Sequence, residues 1–249
     1  MYEVLTTEKH SVVFLENYHP SVSIGVFTTY IILFIFMVGL GFYWLFKQIS
    51  ATLTLKKEQQ KMEVLHLQSQ VNPHFFFNML NNLYGLVAKD SQKAQALILK
   101  LSDMMRYSIY DGQKSSVTIA EEVAYLKNYI ELHKMRYHKE INVKFNTNIY
   151  DENVEIVPLL FINLLENAFK HGVENLYDNA FVAIDLTTNK NEIIFTVENN
   201  FDPESISETK GIGLKNLKRR LELIYPKKHS LSFKSMDEIY TSQLTLQLS

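Results

Sequence analysis

The chain has 249 residues, 25 Lys and Arg against 27 Asp and Glu, and a formal charge of -2, a length that suits one or two domains plus an anchor. Charges of both signs are spread along it and no basic stripe carries interleaved aromatics, which excludes a general polyanion binder and argues against direct nucleic-acid contact. Cysteine is absent, which excludes a disulfide framework, a thiol nucleophile and any Cys-ligated metal.

Residues 1–19 are short and mixed, with an interfacial fragment at most around Ser11 to Leu15, and read as an extracytoplasmic N-terminus. Residues 20–46 contain no Asp, Glu, Lys, Arg or His. A bilayer core of ~30 Å takes about 20 residues of helix, so this run predicts a transmembrane helix. Tyr43 and Trp44 suit the headgroup region at its end. Lys47, Lys56, Lys57 and Lys61 follow it, against Lys9 before it, which places the chain after Lys47 in the cytoplasm of a single-pass protein. The run is too long and starts too late for a signal peptide; the competing reading is a buried core helix.

Residues 47–70 are polar and lack Gly and Pro, with Ile49, Leu53, Met62, Leu65 and Val71 at helical spacing. That suits a parallel coiled-coil dimer or a solvated helix packed on its own domain. Pro73 should kink or restart the helix just before His74, after which the pattern resumes through Phe75, Asn78, Asn82 and Leu86. A second helix is predicted from Ser91 to Tyr107, then a turn at Asp111 and Gly112. Thr118 and Glu121 form a capping-box signature that opens a third, with Val123, Leu126, Ile130 and His133 on one face. From Glu140 the character changes. Ile141, Val143 and Phe145 alternate as in a half-buried strand. Pro158 is expected to open an apolar helix running to about His171. Strands are predicted at 181–187, 193–197, 231–233 and 244–248, a polar loop at 200–210, and a helix from Gly213 to Tyr225. The pattern is α+β, with helices on one face of a mostly antiparallel sheet.

Three segments carry the chemistry. In Gln70-Val71-Asn72-Pro73-His74-Phe75-Phe76-Phe77-Asn78, a neutral imidazole just beyond a kink is a good nucleophile near neutral pH; a capping or core histidine is the plainer alternative. On a helix, Asn163, Asn167 and Lys170 share one face at i, i+4 and i+7. An Asn carbonyl oxygen suits Mg²⁺, and Lys170 and His171 suit phosphate oxygens. The plainer alternative is a surface helix capped by Gly172 in the left-handed conformation. In Gly211-Ile212-Gly213-Leu214-Lys215-Asn216, two glycines before a helix let backbone donors approach an anion. For Lys218, Arg219 and Arg220 beyond them the plainer alternative is a solvated face, and it is the reading taken for Lys218.

The first segment resembles the phosphoacceptor box of LytS/YehU-type sensor histidine kinases. The other two resemble the Bergerat-type α/β sandwich that those kinases share with gyrase-like ATPases. Leu101-Ser102-Asp103, Arg106-Tyr107, Glu121-Glu122, Tyr129-Ile130, Arg136 and the run Glu222 to Pro226 extend the likeness in order, over about residues 60–249. The resemblance implies residues 47–138 as dimerisation and phosphoacceptor region and 139–249 as ATP-binding domain. It implies ATP and Mg²⁺ as cofactors, with Asn167 on Mg²⁺. Asn163, Lys170, His171, Asn199, Gly211, Gly213, Leu214 and Asn216 are the implied nucleotide contacts, under a lid of residues 200–210. It further implies a membrane-bound homodimer that phosphorylates itself on His74 and passes the phosphate to a response regulator, often one with a LytTR-type domain.

The sequence departs from the family in two places. Asn199 stands where the ATP-binding family has an Asp that reads the adenine amino group, and no glycine follows; an Asn oxygen still accepts a hydrogen bond, at the expected expense of affinity. Phe75 stands where many histidine kinases carry an acid, which leaves Glu121 and Glu122 as the candidate general bases. The second functional reading is a catalytically weak or inactive dimeric membrane scaffold. A third, a gyrase-like ATP hydrolase, is disfavoured because Asn163 occupies the position of the water-activating Glu.

Overall fold

The computed structural model describes residues 2–7, 10–15, 20–68, 73–137, 141–176, 178–203 and 212–248. Two strands come first, β1 (Tyr2–Thr7) and β2 (His10–Leu15), antiparallel from Tyr2↔Leu15 to Thr7↔His10. The sequence predicts no regular element there. Val4, Leu5, Thr6, Val12, Val13 and Phe14 are strand-favouring types, but their preference becomes visible only when the two runs pair.

From Pro20 the chain is one helix, α1 (Pro20–Gln68), with the proline at its first position, where a missing N–H costs nothing. Residues 24–46 are exposed along their whole length, and among the described residues this helix is the one long and apolar enough to cross a membrane. The change from apolar to polar sequence at Lys47 leaves the helix unbroken. Residues Met1–Gln59 form one compact unit and Gln60–Ser249 another.

The second unit begins with helices α2 (Pro73–Val87), α3 (Ser91–Ile109) and α4 (Ile119–Arg136). Asp90 caps α3 by accepting from Lys93 N at 3.0 Å. The predicted capping box of α4 is present, with Glu121 N donating to Thr118 Oγ1 at 3.2 Å and Thr118 N to Glu121 Oε2 at 2.7 Å. Phe75 and Met79 from α2, Leu97, Leu101 and Met104 from α3, and Leu126 and Ile130 from α4 are buried.

The sheet follows. Its strands are β4 (Asn142–Asn148), β6 (Phe181–Thr188), β7 (Glu192–Asn200), β8 (His229–Met236) and β9 (Ile239–Gln247), in the order β4-β6-β7-β9-β8. β4 and β6 are parallel and the other pairs antiparallel. Alternate residues Val182, Ile184 and Leu186, Ile193, Phe195 and Val197, and Leu244 and Leu246 are buried. Helices α5 (Ile162–Ala168) and α6 (Ile212–Ile224) pack on it, so the class is α+β as expected. A two-residue strand, β3 (Val117–Thr118), pairs with β5 (Glu155–Ile156) and ties the start of α4 to the chain that enters α5. β8 and β9 run longer than predicted, joined at Asp237 and Glu238, whose φ of 50° and 62° suit a tight hairpin turn.

Two expectations near α5 are corrected. The helix does not open at Pro158. Leu159 has φ 59°, its N–H donates to Glu122 Oε1 at 2.5 Å, and the carbonyls of Pro158 and Leu159 accept from Arg220 at 2.6 and 3.1 Å. These bonds hold the backbone out of a helical path until Ile162. The far end of the helix widens into a π-turn, Phe169–Val173, closed by Glu174 N donating to Phe169 O at 2.9 Å.

Candidate functional site

His74 is the second residue of α2 and is exposed. One turn on, the Asn78 amide nitrogen lies 3.3 Å from each ring nitrogen of His74. An amide N–H donates only, so it can bond whichever ring nitrogen lacks a hydrogen, and the tautomer decides which of the two that is. Asn78 belongs to the quoted box, and its i+4 spacing is the signal from which this role could have been read. Phe75 turns the other way: it is 5% exposed and stacks on Tyr129 and His133 with centroids 5.0 and 5.2 Å away. Gln70, Val71 and Asn72 lie outside the described residues.

Neither candidate base is available. The Glu121 carboxylate is held in the capping box of α4. Glu122 is fully buried and accepts from Tyr107 Oη at 2.7 Å as well as from Leu159 N; burial raises its pKa, against the opposing pull of those bonds and of the Arg220 charge. Both carboxylates are engaged in bonds that shape the start of α4 and the turn at Leu159.

On α5, Asn163 is half-buried and donates to Leu159 O at 3.2 Å. A Cβ on Gly213 would stand 3.7 Å from its Oδ1, so the first turn of α6 abuts this side chain. Asn167 is half-buried and Lys170 exposed. His171 is half-buried; burial and then the Lys170 charge lower its pKa, against Glu174, so its imidazole is neutral at pH 7. Leu214 and Asn216 are half-buried on α6. Gly211 and residues 204–210 of the expected lid lie outside the described residues, while Asn200, placed at the lid's start, is the last residue of β7.

Gly172 is not a left-handed cap. Its φ is not positive and it is buried inside the π-turn. What requires glycine is β7: a Cβ here would lie 2.8 Å from Asn199 Nδ2, 2.8 Å from Asn200 O and 3.1 Å from Asn199 Cβ. Asn199 is 1% exposed; its Nδ2 donates to Asn200 O at 2.9 Å and its Oδ1 has no partner. A buried acceptor left bare is costly and fits a ligand that brings a donor. Among the described residues no group of three His, Asp or Glu could hold a metal.

An aromatic cluster joins the two halves. Tyr129 meets Phe169 edge-on at 5.6 Å and His133 lies 4.5 Å from it, so the rings that bed Phe75 also touch the π-turn after Asn167. His133 is buried with both ring nitrogens unpartnered, and burial, then the Arg136 charge, brings its pKa down to about 3. Lys218, expected on a solvated face, is exposed. Arg219 pairs with Glu63 through two bonds of 2.7 and 3.1 Å, tying the end of α1 to α6. Arg220 is buried on the turn before α5.

Residues 62–141 match the histidine kinase family model. Sensor protein LytS of Staphylococcus haemolyticus is 31% identical over 188 residues, which cover 70% of this chain and 32% of that protein. Sensor protein LytS of Streptococcus mutans is 29% identical over 201 residues, 74% of this chain and 34% of that one. A solved histidine kinase domain of a blue-light activated histidine kinase from Erythrobacter litoralis is 16% identical with a TM-score of 0.41, covering 78% of this chain and 94% of that one. The chain spans about a third of the length of the curated relatives it matches.

Proposed function

The chain is a relative of the LytS-type sensor histidine kinases, and from that premise we propose that it phosphorylates itself on His74 and hands the phosphate to an aspartate of a response regulator, one of LytTR type. The observation that carries this is His74 itself: an exposed imidazole, steadied by Asn78, inside the stretch that matches the kinase model.

The division of labour follows from where the residues stand. Residues 139–249 bind the nucleotide. Asn199 Oδ1 accepts from the adenine amino group, Asn163 and Asn167 line the phosphate side with Lys170 and His171, and Gly213, Leu214 and Asn216 approach from α6. Bound Mg-ATP supplies the γ-phosphoryl group, with Asn167 the residue that would hold the metal. His74 attacks in line with the leaving oxygen through the ring nitrogen that lacks a hydrogen, which Asn78 releases; ADP departs, and the other ring nitrogen gives up its proton to water. Positioning and charge neutralisation do most of the work in such transfers, which is in keeping with a site that offers no buried base to His74.

Residues 20–46 anchor the chain as a single span with the kinase region in the cytoplasm. Residues 47–138 pair two copies. Support for pairing comes from Phe77, Leu80, Tyr84 and Val87 on α2 and Ile98, Met105 and Ile109 on α3, all exposed and apolar. Exposed stripes of this kind on neighbouring helices suit a second copy of the same helices.

The test is incubation of the detergent-solubilised chain with γ-labelled ATP and Mg²⁺, beside His74→Gln and Asn167→Ala. The expected result is acid-labile, alkali-stable label on the parent and on neither variant. Label that survives in His74→Gln moves the acceptor elsewhere. No label and no ATP binding leaves the scaffold reading standing.

A further inference from the structure

We infer that Gly172 is a positioning residue for base recognition: without a Cβ it leaves room for the Asn199 amide, which the Asn200 carbonyl orients with its oxygen turned away, and so makes this a site for a purine with an exocyclic amino group. The inference rests on the nucleotide-binding reading of Asn199.

The Asn200 carbonyl can only accept, and it lies 2.9 Å from Asn199 Nδ2. The amide must therefore turn its NH₂ toward Asn200 and its oxygen the other way, where Oδ1 has no partner in the protein. Asn200 cannot move to relieve this arrangement. Its own side chain donates to Asn179 O at 2.8 Å and accepts from Phe181 N at 2.9 Å, fixing the end of β7 against the start of β6. Gly172 closes the remaining side, since any Cβ there would fall 2.8 Å from both Asn199 Nδ2 and Asn200 O. The π-turn brings this backbone close, and glycine lets it stay close.

The departure from aspartate then has a physical reason. A carboxylate at position 199 would set an anionic oxygen against the Asn200 carbonyl, with no donor between them. Asparagine satisfies that carbonyl and still presents one acceptor. An acceptor selects a donor: adenine offers N–H at its 6-position, whereas hypoxanthine offers a carbonyl oxygen at the same place and would face Oδ1 acceptor to acceptor.

The experiment compares ATP with ITP, which differ at that position, by calorimetric binding to the full chain in detergent. The proteins are the parent, Gly172→Ala, Asn199→Asp, Asn199→Ala and the double variant Gly172→Ala with Asn199→Ala, each checked by thermal melting. The parent should prefer ATP. Gly172→Ala should lose about tenfold in ATP affinity, as for one forfeited hydrogen bond, and should lose little for ITP, so the preference collapses. In the Asn199→Ala background the same glycine substitution should cost little more. Asn199→Asp should bind ATP more weakly than the parent.

Equal losses for ATP and ITP in Gly172→Ala would show a merely structural glycine and overturn the inference. So would an Asn199→Asp that binds ATP more tightly, and that comparison decides the matter alone should Gly172→Ala not fold. A parent that binds ATP and ITP equally overturns the orientation argument while leaving the nucleotide site in place. A folded parent that binds neither overturns the site itself.

Discussion

On α2 the proposed acceptor, His74, stands outside and its neighbour in sequence is buried; on β7 the proposed recognition group, Asn199, is the buried one. His74 touches Asn78 and is otherwise exposed, while Phe75 is packed among Tyr129 and His133. Asn199 is enclosed by Gly172 and Asn200 and shows one bare oxygen. A nucleophile that must meet a phosphate carried by other elements needs reach, so it is set on a firm bed and left in the open. A group that distinguishes one base from another needs a fixed direction, so its neighbours remove its alternatives.

The sharpest test of that contrast is stability. Phe75→Ala should cost about 3–5 kcal/mol, the range for a buried Phe truncated to Ala, in denaturant titration. His74→Gln should stay within about 0.5 kcal/mol, as at exposed sites, although it should abolish labelling. Similar costs at the two positions would break the comparison.

The aromatic bed should also reveal itself through pH. His133 titrates near 6.5 when unfolded and at about 3 when folded. Between those values the unfolded chain holds the extra proton, so stability is full above pH 6.5 and declines as pH falls toward 3. The slope from this group is at most about 1.4 kcal/mol per pH unit. His133→Phe should flatten it in pH-dependent unfolding; an unchanged slope would assign the effect to another group.

Two smaller effects complete the series. Thr118→Ala should cost about 1 kcal/mol by opening the cap of α4, the helix on which the acceptor segment rests. Smallest of all, Glu63→Gln should lower the melting temperature slightly at low salt, with the gap closing as salt is added, because its pair with Arg219 is exposed. A gap that persists in high salt would mean that α1 and α6 are joined by more than charge.

What could be read in advance depended on distance along the chain. The capping box of Thr118 and Glu121, the restart at Pro73 and the alternation in β6 and β7 are local signals, and each is present. The failures are long-range. Pro158 looks like a helix start until Arg220, far along the sequence, takes its carbonyl. Gly172 looks like a cap until β7 is laid beside it. Glu122 looks like a candidate base until Tyr107 and Leu159 N converge on it. In the candidate site the residue types were legible from spacing, whereas the orientation of Asn199 was not, because one backbone carbonyl and one missing Cβ determine it. His133 was legible as an inward-facing residue; the Phe169 contact that carries its cluster to the π-turn was not.

The parallel pairing of β4 with β6 bears on how the molecule assembles. β8 and β9 are joined by a tight turn and can zip from it as soon as both exist. β4 must wait for β6, and everything synthesised in between, α5 included, forms the connecting loop. Closing so long a loop is entropically slow, and non-local pairings of this kind limit folding rates. The asparagines of α5 sit inside that connecting loop, so the candidate site is tied to the sheet by a contact between strands far apart in sequence rather than by its own helix alone.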